Sequence, residues 1–238
     1  MTSAPDAAES EPSSAPPAIA AVAAATAPLK PKLRGWLHAG TFPLATAAGI
    51  VLICLAPHAN ARWAAAVYTL GAMLLFGISA LYHRFYWGKT GEAILRRLDH
   101  SNIFLLIAGT YTPLGMVLLH GKDRLLMLGL VWGGAALGIL FRIFWVHAPR
   151  WLYTPIYLAL GWVAIFWMGD IYHQGGAAVV TLIAVGGGLY SLGAVVYGTK
   201  RPNPSPRWFG FHEIFHAFTV AAFICHYIAV SIATYHAG

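Results

Sequence analysis

The chain has 238 residues, of which 58% are hydrophobic and only 10% charged, with a formal net charge of +7. Soluble globular domains carry about 25% charged residues, so this composition excludes an ordinary water-soluble domain and points to a membrane protein. The basic excess does not mark a nucleic-acid binder, because the Lys and Arg residues cluster between apolar runs, where membrane topology accounts for them.

In chain order, residues 1–33 come first. The stretch "MTSAPDAAESEPSSAPPAIAAVAAATAPLKPK" is rich in Ala, Pro and Ser, has no apolar period, and reads as a disordered cytoplasmic tail. It is not expected to be a cleaved signal peptide: Asp6, Glu9 and Glu11 precede the run Ala18 to Ala27, with no Lys or Arg before it, the wrong charge for a signal n-region. From residue 34 to 238 the pattern changes to seven apolar runs, at 35–56, 62–83, 98–119, 125–147, 151–171, 176–198 and 209–234. Each is long enough to cross a bilayer as a helix, a length of about 20 residues. The expected fold is an all-α membrane protein, a seven-transmembrane helix bundle with short loops and antiparallel neighbours. Pro43, Pro113, Pro155 and Gly186 to Gly188 lie within the runs, where membrane helices tolerate them. Cys54 and Cys225 fall in apolar runs and read as buried free thiols.

With seven crossings, all but three of the 15 Lys and Arg residues fall on the side of the N-terminus; only Arg62, Lys122 and Arg124 fall on the other. The positive-inside rule then puts the N-terminus in the cytoplasm and the C-terminus across an inner or plasma membrane. Trp36, Trp63, Trp87, Trp151 and Trp208 sit near span ends, as an interfacial belt requires.

This orientation groups the polar residues. "SALYH" (Ser79 to His83) closes the second run, "RLDHSN" with Asp99 opens the third, and "FHEIFH" (Phe211 to His216) opens the seventh, all at the cytoplasmic end. His212 and His216 are four apart, as are Ser79 and His83, so each pair shares a helix face. Polar groups at membrane depth turn to the bundle interior and find partners. Three imidazoles from two helices suit a zinc ion with an open fourth position, and Asp99 and Ser79 suit hydrogen bonds to its water or ligands.

Each residue also has a plainer reading. An H-x-x-x-H pair recurs by chance. His83 fits a helix end at the interface, and Asp99 fits an ion pair with Arg96 or a cap of the third helix. His100 points about 100° away from Asp99 and is not expected to be a ligand. His226 reads as a core histidine with a hydrogen-bond partner. His38, His58, His120, His147, His173 and His236, near span ends, are weak signals. The H-E-x-x-H pattern is also that of zinc proteases, with Glu213 as base; the carboxylate that would serve as third ligand, Asp170 in "MGDIY", falls on the opposite side.

The blocks "SALYHRFYW", "RLDHSNIFLLIAGTYTPL" and "HEIFHAFTVAAFICHY" resemble the haemolysin III family, part of the progestin and adipoQ receptor superfamily that includes the adiponectin receptors. The resemblance covers about residues 35–238 and leaves out the tail. It implies seven helices, a cytoplasmic N-terminus and a zinc near the cytoplasmic face. His83, His212 and His216 would be its ligands, Asp99 would hold the zinc-bound water, and Ser79 would fill the motif's serine position. The implied functions are a zinc-dependent hydrolase of membrane lipid amides, its substrate entering between helices, or a lipid-homeostasis factor. The alternatives are a receptor or sensor with a structural zinc, a pore-forming cytolytic protein, and an intramembrane metalloprotease.

Overall fold

The structure is a computed structural model, and it describes residues 31–236. The tail expected over residues 1–33 lies outside the described residues except for its last three. The elements are α1 (Trp36–Leu55), α2 (Ala59–Arg84), α3 (Lys89–Leu118), α4 (Gly121–Phe144), α5 (Arg150–Gly161), a 3-10 segment (Val163–Trp167), α6 (Met168–Thr199) and α7 (Phe211–Tyr235). Among the described residues the only bridge outside helices is the isolated Ser205 to Phe209 pair.

Among the described residues, six stretches are long and apolar enough to cross a membrane, where the sequence suggested seven. The difference lies in Arg150–Thr199, a single stretch of 50 residues. The polar "YHQGG" looked like a loop between two runs, but helix continues up to a break at Gly176 (φ 80°, ψ 175°). Early and late parts of this stretch meet in reverse order. The Tyr153 and Tyr197 hydroxyls are 2.9 Å apart, and Trp162 Nε1 donates to Ser191 Oγ at 3.0 Å.

The outside of the bundle is as apolar as its inside. Leu44, Trp63, Leu125, Phe144 and Phe166 are each more than two-thirds exposed, which water would penalise and lipid does not. The protein is an integral membrane protein. Cys54 belongs to this outer face, so it is exposed, not buried as its apolar surroundings suggested; Cys225 is half-buried.

The core is centred on α3, whose most apolar window is 67% buried against 22% for α1 and 28% for α4. Glycines let α2 and α3 approach closely: a Cβ on Gly71 would lie 3.2 Å from the Leu105 carbonyl oxygen. Several hydroxyls are satisfied within their own helices, as where Thr69 donates to Ala65 O at 2.7 Å and Thr110 to Leu106 O at 2.8 Å. The break after α5 frees backbone groups at membrane depth. The Tyr111 hydroxyl takes both, donating to Gly161 O and accepting from Ala164 N, each at 2.7 Å.

Helix α3 starts at Lys89, nine residues before the apolar run. "KTGEAILRR" supplies good helix formers, with Glu92 and Arg96 spaced for an i, i+4 pair. Asp99 therefore sits well inside the helix and is not its cap.

Candidate metal centre

The site is assembled where the end of α2, the start of α7 and the approach to α1 converge. His83 lies in the last turn of α2. His212 and His216 lie on the first turns of α7. The chain before α1 is tied to the loop before α7 by two backbone bonds, Lys32 N to Arg207 O at 3.0 Å and Leu33 N to Trp208 O at 3.2 Å. It then passes His83 at Gly35, in left-handed backbone (φ 79°), where a Cβ would come within 2.9 Å of the His83 Cβ. Only glycine combines that φ with that closeness.

The ligand atoms of His83, His212 and His216 all lie within 4.8 Å of one another. His83 and His216 are buried and His212 is half-buried. The Nε2 atoms of His83 and His212 are 3.2 Å apart. Nitrogens bound to one tetrahedral zinc at about 2.0–2.1 Å are separated by about 3.3–3.4 Å, so this spacing fits. A single N–H···N hydrogen bond would satisfy that pair by itself. The third imidazole converging on the same point is what matches a cation.

The Asp99 carboxylate is 3.8 Å from His83 Nε2, and the buried Ser79 hydroxyl lies within hydrogen-bonding reach of it. The five residues singled out in the sequence thus come together. Asp99 makes no ion pair with Arg96 among the described contacts; its neighbours are His83 and His100, the latter 3.7 Å away at Nδ1. His100 stays outside the triad, with Nδ1 donating to Arg96 O at 2.8 Å. His226 is the core histidine expected, hydrogen-bonded to Ile183 O at 3.3 Å. Asp170 is exposed and is not one of the residues that converge with the histidines.

Glu213 is not placed as a protease base. It is 1% exposed and ion-paired to Arg34 Nε through Oε1. Its other oxygen accepts the Gly210 N–H at 2.7 Å at the start of α7, which is the glutamate half of a capping box; Gly210 has no side chain to supply the other half. Both oxygens are therefore committed to holding the helix start.

A cavity of about 130 Å³ opens beside the histidines. His38, Ser79, Asp99, His212 and His216 line one end, and Thr110, Tyr111, Gly161 and His226 line parts deeper in the bundle. From Asp99 to Thr110 along α3 is about 16 Å at 1.5 Å per residue. Between the two ends the walls are mostly Leu, Ile and aromatic side chains.

His38 is the site residue that sequence reasoning undervalued. Its ring stacks on that of His216, with centroids 3.8 Å apart and planes within 9°. The signal that could have found it was depth, since the assigned topology puts the start of the first span level with His83 and His212.

A family model described as "Haemolysin-III related" matches residues 26–227. The chain is similar to the hemolysin-3 homolog of Bacillus subtilis (strain 168), 35% identical over 183 residues that cover 74% of this chain and 83% of that protein. It is similar to hemolysin-3 of Bacillus cereus, 36% identical over 150 residues, covering 62% and 68%. At 25% identity over 195 residues, covering 74% and 83%, it is also similar to the heptahelical transmembrane protein ADIPOR2 of Oryza sativa subsp. japonica.

Proposed function

The chain belongs to the haemolysin III-related family, and from that premise we propose that it is a zinc-binding membrane hydrolase that cleaves an amide bond in a membrane lipid. The observation that carries the reading is the convergence of three imidazoles beside a carboxylate at the polar end of an otherwise apolar cavity. When bound, zinc supplies a Lewis acid that polarises a carbonyl and acidifies water to a pKa of about 7. His83, His212 and His216 hold it. The Asp99 carboxylate orients the attacking water and takes its proton, and the Ser79 hydroxyl fixes Asp99 for that task. The apolar walls hold the lipid chain and keep bulk water out.

The reading includes a topology of seven crossings. At 1.5 Å per residue, a straight helix of 50 residues would extend about 75 Å, more than twice the roughly 30 Å hydrocarbon core. The reversed pairing of Tyr153 with Tyr197 and Trp162 with Ser191 supports two crossings that turn near Gly176. The N-terminus and the histidine cluster then face the cytoplasm, where the basic residues concentrate.

The test is metal analysis of the purified chain, followed by turnover of a panel of lipid amides with Asp99→Asn as the comparison. Asn keeps the size but cannot take the proton. The variant is expected to keep its zinc and to lose about 100-fold or more in turnover, the scale of general-base loss. Zinc without turnover of any lipid amide would leave only a metal that ties α2 to α7, the receptor or sensor reading.

A further inference from the structure

His38 presents a polar problem that the metal centre does not solve. It is 3% exposed, and neither ring nitrogen has a hydrogen-bond partner among the described residues. Buried polar atoms are nearly always paired, so such an orphan calls for a partner. One face of the ring is covered by His216, and the edge of Phe76 packs at 5.1 Å with planes at 80°. Because the His38 and His216 rings are parallel, their in-plane nitrogen lone pairs cannot converge on one ion. His38 is accordingly absent from the group of three that can. What the ring does line is the cavity, where the Thr154 hydroxyl is a second buried polar atom without a partner.

We propose that His38 is the polar anchor of the cavity's occupant, holding the amide group of an N-acyl lipid beside the three metal-binding histidines. This rests on the reading of the cavity as a lipid site, and it assigns the subsite within it. The chemistry is complementary. A neutral imidazole offers one N–H donor and one acceptor nitrogen, and a secondary amide offers a carbonyl acceptor and an N–H donor. The stack on His216 sets the anchor next to the metal centre, so an amide held there is presented to Asp99 and its water.

The test uses the full-length chain in native mass spectrometry, which reads bound metal and bound lipid in one spectrum. The probes are N-palmitoylethanolamine and, as a chain without an amide, octadecane. His38→Phe keeps a flat ring on His216 and removes both nitrogens. It is expected to keep the native metal count, to bind the amide about tenfold more weakly, as loss of one or two buried hydrogen bonds implies, and to bind octadecane unchanged. If Phe disturbs folding, His38→Gln against His38→Leu makes the same comparison, with Gln holding the amide within about threefold of native by keeping a donor and an acceptor. Native-like amide binding by the Phe or Leu variant, loss of metal with the ring's nitrogens, or no binding of the amide by the unaltered chain would each overturn the assignment. Turnover is read separately: His38-dependent binding without hydrolysis refutes the hydrolase and leaves the anchor standing.

Discussion

Replacing Glu213 separates a structural latch from a protease base. The carboxylate is buried, paired with Arg34, and bonded to the Gly210 N–H. Removing one partner of a buried ion pair costs ~3–5 kcal/mol. Arg34 keeps 19% side-chain exposure and can partly rehydrate, which favours the lower end, about 3 kcal/mol for Glu213→Gln. The amide oxygen of Gln can still accept from Gly210. Glu213→Ala loses that bond too, adding about 1 kcal/mol, the usual worth of a helix cap. For a chain of this size, 3 kcal/mol corresponds to a fall of roughly 6–12 °C in melting temperature. The assay is thermal unfolding of the purified chain, with lipid-amide and peptide cleavage measured below the transition. Arg34→Gln leaves the 1%-exposed carboxylate without its cation and should cost more, toward about 5 kcal/mol, and the double variant less than the sum, because the two residues share one interaction. A Glu213→Gln protein with an unchanged melting temperature and abolished peptide cleavage would refute the latch and restore the protease.

The metal centre predicts that His212→Ala or His216→Ala strongly lowers a zinc content of about one per chain; full zinc in the His83, His212, His216 triple-alanine protein would rule the site out. Gly35→Ala should destabilise by about 1–2 kcal/mol, the cost of left-handed backbone for a residue with a Cβ, and should weaken zinc binding through the His83 contact. Its control is Gly40→Ala, where an added Cβ meets nothing within 4 Å and stability should hold or rise in a melting assay. A reporter fused after Gly238 should be active only on the non-cytoplasmic side, and activity in the cytoplasm would overturn both the seven-crossing topology and the assigned depth of the histidines.

The helices were legible because a bilayer demands long apolar runs, and the site residues because polar groups are so costly inside them. Ser79, His83, Asp99, His212 and His216 needed only their spacing and a topology to be grouped, and the structure brings all five together. The 3-10 segment was not legible, whereas the Gly176 break falls at the boundary between the apolar runs 151–171 and 176–198. Hydropathy reports where chain can lie in lipid, whereas a break is set by a tertiary partner, here the Tyr111 hydroxyl 50 residues away from Gly161. His38 was missed for a related reason: a lone histidine at a span end looks interfacial until the ring it stacks on is known. The role of Glu213 depended on Arg34, 179 positions distant, and no local pattern links the two.

The H-E-x-x-H stretch, His212 to His216, therefore carries two tasks on one short helix start. His212 and His216 turn to α2 and the cavity, while Glu213 turns to the chain before α1. That chain and the first turn of α1, from Lys32 to His38, touch each part of the centre in turn: the loop before α7 through the backbone, Glu213 through Arg34, His83 through Gly35, and His216 through the His38 ring. A metal held by the three histidines would tie α2 to α7 from within the bundle, and the segment leading into α1 ties the same two helix ends from outside it. Both favour one arrangement of these ends. Any free energy that metal binding gains from the latch must, by linkage, be returned to the latch when the metal binds. On the metal-binding reading, a glutamate that is a bystander to the chemistry would still be coupled to the metal, through the order of the helix turn that holds His212.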